Sequence, residues 1–202
     1  MKILLASKNR GKIAEFKEMI KDFPLELKTL YDFENFPDIE ETGTTFKENA
    51  LIKAKVGFER TNLPTIADDS GLEVDFLDGR PGVYSARYGG DGLDDRGRMN
   101  LLLEELKDTP KEGRGANFIT SIVLYYGEDF IYEFTDRWDG EILFKAIGEK
   151  GFGYDPIFFD PTLNKSAAQL THEEKSKVSH RGKAMKKFFK ELPNIISKID
   201  SK

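Results

Sequence analysis

The sequence contains no cysteine and only two histidines, His172 and His180, among 202 residues. Disulfides, a thiolate nucleophile and Cys-ligated zinc are therefore excluded, and two histidines are too few for a multi-His metal centre. No apolar run has the length needed to span a bilayer, and no membrane partner is expected. Met1-Lys2 leads straight into an apolar run with no signal-peptide pattern, so the cytoplasm is the expected location. There is no continuous basic stripe, and the formal net charge is −5. That balance argues against a nucleic-acid partner but leaves room for a small anion held by a local basic cluster. What the chain does have is core material, with 39% hydrophobic residues and sixteen Phe. A single domain over residues 1–202, with room for two lobes around a cleft, is expected.

Ile3-Leu4-Leu5-Ala6 reads as a strand buried on both faces. Ser7-Lys8-Asn9-Arg10-Gly11-Lys12 follows as a polar loop. Ile13, Phe16, Met19 and Ile20 then recur at helical spacing, predicting a helix from about Gly11 to Asp22. A helix start after a Ser/Asn/Gly loop offers unpaired N–H groups to an anion, and Lys8, Arg10 and Lys12 add charge. It is not a Walker A loop, because Ala6 stands at the first glycine and Ile13 where Ser or Thr belongs. The same residues also suit a solvated loop with helix-capping side chains.

Leu25 to Leu30 alternates as a strand. A second helix, capped by Thr44 or Thr45, runs to about Arg60. Its stripe of Phe46, Ala50, Ala54, Gly57 and Phe58 takes in Lys53, two turns beyond Phe46, with Asn49 at the edge. An inward ammonium needs an anion; the alternative is a lysine whose head snorkels to solvent. Next comes Ala67-Asp68-Asp69-Ser70-Gly71-Leu72, read as a tight turn. Two adjacent acids repel, and a hard cation such as Mg²⁺ relieves that repulsion with carboxylate, phosphate and water oxygens. Asp, Ser and Gly are also ordinary turn formers.

Gly71 to Leu77 alternates as a strand, Pro81 to Gly90 is a glycine-punctuated loop, and Asp94 to Lys107 is helical with Met99, Leu102, Leu103 and Leu106 inward. Ala116–Tyr126 and Phe130–Trp138 form a hairpin across Gly127-Glu128-Asp129, and Trp138 to Ile142 turns the chain again. In Gly151-Phe152-Gly153-Tyr154-Asp155-Pro156, glycines flank an aromatic suited to stacking on a flat base. Ile157-Phe158-Phe159 supplies the core strand and leaves Phe152 and Tyr154 spare, although both also suit a buried strand start. Thr171-His172-Glu173-Glu174 is a capping box for a short helix carrying Lys175. Ser179-His180-Arg181-Gly182 opens the last helix, whose inner face is Ala184, Met185, Phe188, Phe189 and Leu192. His180 and Arg181 can both donate to carbonyl oxygens of a planar ligand.

Taken together, the motifs Ser7-x-Asn9-x-x-Lys12, Glu40-Glu41-Thr42-Gly43, Phe46-x-Glu48-Asn49-Ala50, Ala67-Asp68-Asp69-Ser70-Gly71-Leu72, Gly82-x-Tyr84-Ser85-Ala86-Arg87, Phe152-Gly153-Tyr154-Asp155-Pro156 and Ser179-His180-Arg181 resemble those of the inosine triphosphate pyrophosphatase family, the non-canonical purine nucleoside triphosphate pyrophosphatases. The resemblance runs from Met1 to about Leu192. It implies an α/β fold with an elongated mixed central sheet, flanking helices and two lobes around an active-site cleft, a homodimer, and Mg²⁺ dependence. The implied reaction is hydrolysis of ITP, dITP or XTP to the monophosphate and pyrophosphate. Carried over by motif, Ser7, Lys8, Asn9, Arg10, Gly11, Lys12 and Lys53 hold the phosphates. Asp69 is the base and, with Glu41, sits at the metal. Ser70 touches substrate, and Phe152, Gly153, Tyr154, Asp155, Lys175, His180 and Arg181 form the base pocket. Whether Asp69 takes the proton of the attacking water, or the metal activates that water, is left open. Two other classes also fit parts of the pattern. One is a regulatory module that binds a triphosphate without cleaving it, which the acidic pair disfavours. The other is a hydrolase of different selectivity, which the aromatic and Ser-His-Arg motifs disfavour.

Overall fold

A computed structural model describes residues 1–90 and 92–200 of the chain. The elements are β1 (Lys2–Leu5), α1 (Arg10–Ile20), β2 (Glu26–Thr29), α2 (Phe46–Thr61), β3 (Thr65–Val74), α3 (Asp95–Glu105), β4 (Gly115–Tyr125), β5 (Ile131–Ile142), β6 (Phe158–Asp160), β7 (Lys165–Ser166), α4 (His172–Val178) and α5 (His180–Asp200). They form an α/β fold on one seven-stranded sheet of order β2-β1-β3-β4-β5-β6-β7. The sheet is mixed. β1 pairs in parallel with β2 and β3, in register Leu5↔Thr29 and Leu5↔Ile66, whereas β5, β6 and β7 pair antiparallel. The chain divides into two compact units. The first holds Met1–Asp69, Thr120–Asp136 and α5; the second holds Ser70–Ile119 and Arg137–Ser179.

In the first unit the alternation of β1 decides the packing. Ile3 and Leu5 join Ile13, Phe16 and Ile20 of α1 and Ala184, Met185, Phe188 and Leu192 of α5. Leu4 and Ala6 join Ala50 and Ala54 of α2. Both faces are therefore covered, as the continuous apolar run predicts. β3 obeys the same alternation: Ile66 lies in the α1/α5 cluster and Ala67 in the α2 cluster. The small residues of α2 let its backbone come close to the sheet. A Cβ on Gly57 would stand 2.6 Å from Thr65 Cγ2 and 3.1 Å from Leu4 Cδ2.

In the second unit Leu72 and Val74 of β3, Met99 and Leu102 of α3, Phe118 of β4, and Trp138 and Ile142 of β5 share one core with Ile157 and Phe158. The indole of Trp138 is buried because its Nε1 donates to Asp160 Oδ2 at 2.8 Å.

Two expectations from the sequence change. Asp68-Asp69-Ser70-Gly71 is no turn but the middle of the ten-residue strand β3. Turn-forming composition loses here because cations meet the carboxylates from both sides of the strand, as described below. The segment after Trp138 also does not turn, since β5 continues to Ile142. The hairpin between β4 and β5 is present, closed by Tyr126 N–H donating to the Phe130 carbonyl at 3.0 Å.

The close approach of α2 gives a direct expectation. Gly57→Val would overpack Thr65 and Leu4 and lower folding stability by about 1–3 kcal/mol, read as a lower denaturant midpoint with an unchanged m-value.

Candidate active site

In the first unit the sequence of α2 sets up one half of the site. Thr45 caps the helix in a capping box, its hydroxyl accepting from Glu48 N–H at 3.1 Å. Gly43 comes close enough for its N–H to donate to Asn49 Oδ1 at 2.8 Å, where a Cβ would stand 2.7 Å from that oxygen. Asn49 and Lys53 are four residues apart and face the same way. Asn49 Nδ2 donates to Asp69 Oδ2 at 3.2 Å, and Lys53 Nζ donates to Asp69 Oδ1 at 3.0 Å and to Glu41 Oε1 at 2.6 Å. Lys53 is therefore buried on its carboxylates and does not snorkel. Burial opposes its charge, yet Asp69 and Glu41 outweigh burial and hold its pKa above the ordinary lysine value. Burial pushes the Asp69 carboxyl up, against the pull of Lys53 and Lys12.

Asp68, the neighbour in the strand, points the opposite way. Lys12 Nζ meets Asp68 Oδ1 at 2.5 Å and the Asp68 carbonyl at 3.3 Å. Arg181 is bidentate on the same carboxylate, with Nε to Oδ2 at 3.1 Å and Nη2 to Oδ1 at 3.2 Å, and its Nη1 donates to Glu15. Thr120 Oγ1 of β4 lies 2.5 Å from Asp68 Oδ2 and 3.3 Å from the Asp69 carbonyl. Burial opposes ionisation of Asp68, but Arg181 and Lys12 win and hold its carboxyl well below the usual range. Burial lowers the pKa of Lys12, with Asp68 opposing.

The loop before α1 is ordered by its own side chains. Asn9 caps the helix by accepting from Lys12 N–H at 3.0 Å, and Ser7 Oγ accepts from Asn9 N–H at 3.2 Å. Lys8 turns away to Asp38 at 2.6 Å, and its carbonyl accepts from Tyr31 Oη at 2.8 Å. Arg10 is exposed as the first residue of α1, and Gly11, next in the helix, is half-buried.

An ammonium has three donors. Lys12 is held on Asp68 by an ion pair and one carbonyl hydrogen bond, and Lys53 uses two donors on Glu41 and Asp69. Each is thus fixed by carboxylate while keeping one donor for an anionic oxygen. A phosphate chain suits such a pair of anchored cations, and each charge-assisted hydrogen bond to it is worth about 1.5–3 kcal/mol.

In the second unit Asp155 Oδ2 accepts from Lys175 Nζ at 2.6 Å and from Phe152 N–H at 2.9 Å. Lys175 Nζ lies 5.0 Å from the Phe152 ring centroid, within cation–π range. Gly151 is required at φ +78°, because a Cβ there would fall 2.0 Å from Asp155 Oδ2. Gly153 N–H donates to Asp95 Oδ2 at 2.9 Å. Phe152 is half-buried. Tyr154 is not spare: its ring is part of the core, and burial is tolerated because its hydroxyl donates to the Ser85 carbonyl at 3.0 Å.

The predicted residues thus fall into groups. Lys12, Lys53, Glu41 and Asp69 gather with Asp68 in the first unit, and Phe152, Gly153, Asp155 and Lys175 gather in the second. His180 is buried at the first residue of α5, and Ser70 is half-buried in β3. Arg181 was expected among base-reading donors, but the residue is 1% exposed and all three side-chain nitrogens bind Asp68 and Glu15. Asn49, Thr120 and Glu15 join the cluster although the sequence reading gave them no place in it. Asn49 carried a signal, a polar side chain one turn from Lys53 on the inner stripe; Thr120 and Glu15 carried none.

Fold and site define an α/β protein with carboxylate-anchored lysines suited to a phosphate anion. Comparison with known proteins fits that class. The Ham1 family model matches residues 3–191, and the chain belongs to this family. It is 46% identical over 193 residues to a dITP/XTP pyrophosphatase of Vibrio parahaemolyticus, covering 95% of this chain and 96% of that one. A dITP/XTP pyrophosphatase of Halalkalibacterium halodurans is 46% identical over 189 residues, with 94% and 97% covered. Among solved structures, a HAM1 protein from Coxiella burnetii superposes with a TM-score of 0.87 at 40% identity, covering 96% and 99%.

Because Arg181 neutralises Asp68 in a site shut off from solvent, Arg181→Met should cost about 3–5 kcal/mol of folding stability. The depressed Asp68 pKa contributes stability that is present above the unfolded carboxylate value near ~4 and lost as pH falls below it. Denaturant melts against pH should show that acid loss in the native chain and a flatter dependence in Arg181→Met.

Proposed function

We propose that the protein hydrolyses the non-canonical purine nucleoside triphosphates dITP, ITP and XTP to the monophosphate and pyrophosphate. The observation that carries this reading is the pair of lysines, Lys12 and Lys53, each locked on carboxylates with one donor left over. The named activity of the two relatives supports it.

Water attacks the α-phosphorus, the bond from that phosphorus to the bridging oxygen breaks, and pyrophosphate leaves with the electron pair. Asp69 takes the water's proton. Its raised pKa makes it a better proton acceptor than an ordinary carboxylate, and Asn49 and Lys53 fix its orientation. Lys12 and Lys53 neutralise charge on the phosphates. Arg10 adds to the local positive field, and Ser70 contacts the substrate.

Glu41 and Asp69 would hold Mg²⁺. The fit rests on their two hard oxygens already meeting one cation, Lys53 Nζ. Among the described residues there is no cluster of three or more ligating side chains; Mg²⁺ takes one or two carboxylates and completes its coordination with phosphate and water. When bound, the ion supplies further charge neutralisation to the phosphates.

For the base, Phe152 offers a stacking face, and the Lys175 ammonium beside it is the donor nearest that ring. Gly151 and Gly153 shape that segment, Tyr154 anchors it to Ser85, and Asp155 orients Lys175. An adenine amine in place of the 6-oxo group would leave that donor unpaired, which is how a site rejects a close analogue. Arg181 is held on Asp68 and Glu15. A homodimer working in the cytoplasm completes the proposal; no described helix is long and apolar enough to cross a membrane.

With ITP, XTP, ATP and GTP compared with and without Mg²⁺, turnover should favour ITP and XTP and vanish with chelator. Asp69→Asn should lower kcat by at least about a hundredfold, the scale of lost general-base catalysis, with a much smaller change in ITP binding. Unchanged turnover in that variant would remove Asp69 from the mechanism, and binding of ITP without turnover in the native chain would leave a binding module in its place.

A further inference from the structure

The mechanism above uses Asp69 and leaves its neighbour Asp68 without a task. Asp68 is 1% exposed, yet it receives more donors than Asp69. Arg181 grips both its oxygens, Thr120 adds a hydroxyl to Oδ2, and Lys12 closes on Oδ1. Lys12 is the only partner in this set that the phosphate reading also assigns to substrate.

The geometry sorts these contacts by direction. Successive strand residues face opposite ways, so Asp69 turns to α2 and Asp68 to α1 and α5. Asp68 holds Lys12 twice, by Oδ1 at 2.5 Å and by its own carbonyl at 3.3 Å. The ion pair and the carbonyl hydrogen bond together hold the ammonium in one place beside the strand. A carboxylate can do this only if its own rotation is blocked. Arg181 blocks it from one side. Thr120 blocks it from the neighbouring strand, and its oxygen also lies 3.3 Å from the Asp69 carbonyl, so one hydroxyl ties the orientation of Asp68 to the backbone of Asp69.

We propose that Asp68 is a positioning residue of the phosphate site, aiming the Lys12 ammonium at the phosphate chain, and that Thr120 holds Asp68 in the orientation this requires. The proposal rests on the reading of Lys12 as a phosphate-binding residue. Neither Asp68 nor Thr120 touches substrate; both act through Lys12.

Thr120→Val is the clean probe, because it removes one hydroxyl, keeps the branched shape and changes no charge. Inorganic pyrophosphate reports on the phosphate end and inosine on the base end, each as a competitive inhibitor of ITP turnover. Thr120→Val should raise the pyrophosphate inhibition constant about three- to tenfold, the range of one ordinary hydrogen bond lost, because the hydroxyl acts on Lys12 only through Asp68. The inosine constant should not move, and Thr120→Ser should restore the native value. A pyrophosphate constant unchanged in Thr120→Val would overturn the proposal. So would equal weakening of both probes, which marks a general structural loss. Lys12→Met separates the two layers. If Lys12→Met weakens pyrophosphate and Thr120→Val does not, the positioning role alone fails. If Lys12→Met leaves pyrophosphate binding intact, the phosphate reading of Lys12 fails and the positioning role falls with it.

Discussion

Two adjacent carboxylates inside a buried strand cannot both stay charged unless cations reach them, and the strand forces those cations to come from opposite sides. β3 alternates, so Asp68 faces α1 and α5 while Asp69 faces α2. Each helix therefore contributes a cation at a fixed place: Lys12 in the first turn of α1, Lys53 in the middle of α2, Arg181 in the first turn of α5. The apolar packing serves the same end. Ala50, Ala54 and Gly57 bring α2 onto the sheet, and Phe16 and Phe188 set α1 and α5 against the other face.

The two acids differ in what they can do because their surroundings differ. Asp68 has a bidentate arginine, a lysine and a hydroxyl, and is held ionised. Asp69 has one lysine and one amide, is close to Glu41, and its carboxyl is pushed up. A neighbouring pair with pKa values driven apart is the usual arrangement for one structural and one proton-accepting carboxylate. A buried ion pair seldom adds net stability over an apolar core. This one holds Lys12 in place, in line with the function proposed.

Much of this was legible in the sequence where the pattern was local. The apolar run of β1, the inward Lys53, a cap at Thr44 or Thr45 and the capping box at Thr171 are all short-range signals, and they hold, with Thr45 as the cap. Asp68-Asp69-Ser70-Gly71 was misread because turn propensity is local, whereas the cations that make a strand tolerable come from residues far away in sequence. Tyr154 was misread because nothing near it announces the Ser85 carbonyl that accepts its hydroxyl. The partners of Arg181 and the place of Thr120 depend on strand order and helix packing, which no spacing reveals.

Hydrolysis of ITP in water enriched in the heavy oxygen isotope tests most directly whether this cluster directs water at the α-phosphorus. With Asp69 as proton acceptor and the lysines on the leaving group, the label should appear in the inosine monophosphate and be absent from pyrophosphate. Label in pyrophosphate, or release of labelled orthophosphate, would mean that water attacks elsewhere on the chain and would contradict the roles given to Asp69, Lys12 and Lys53.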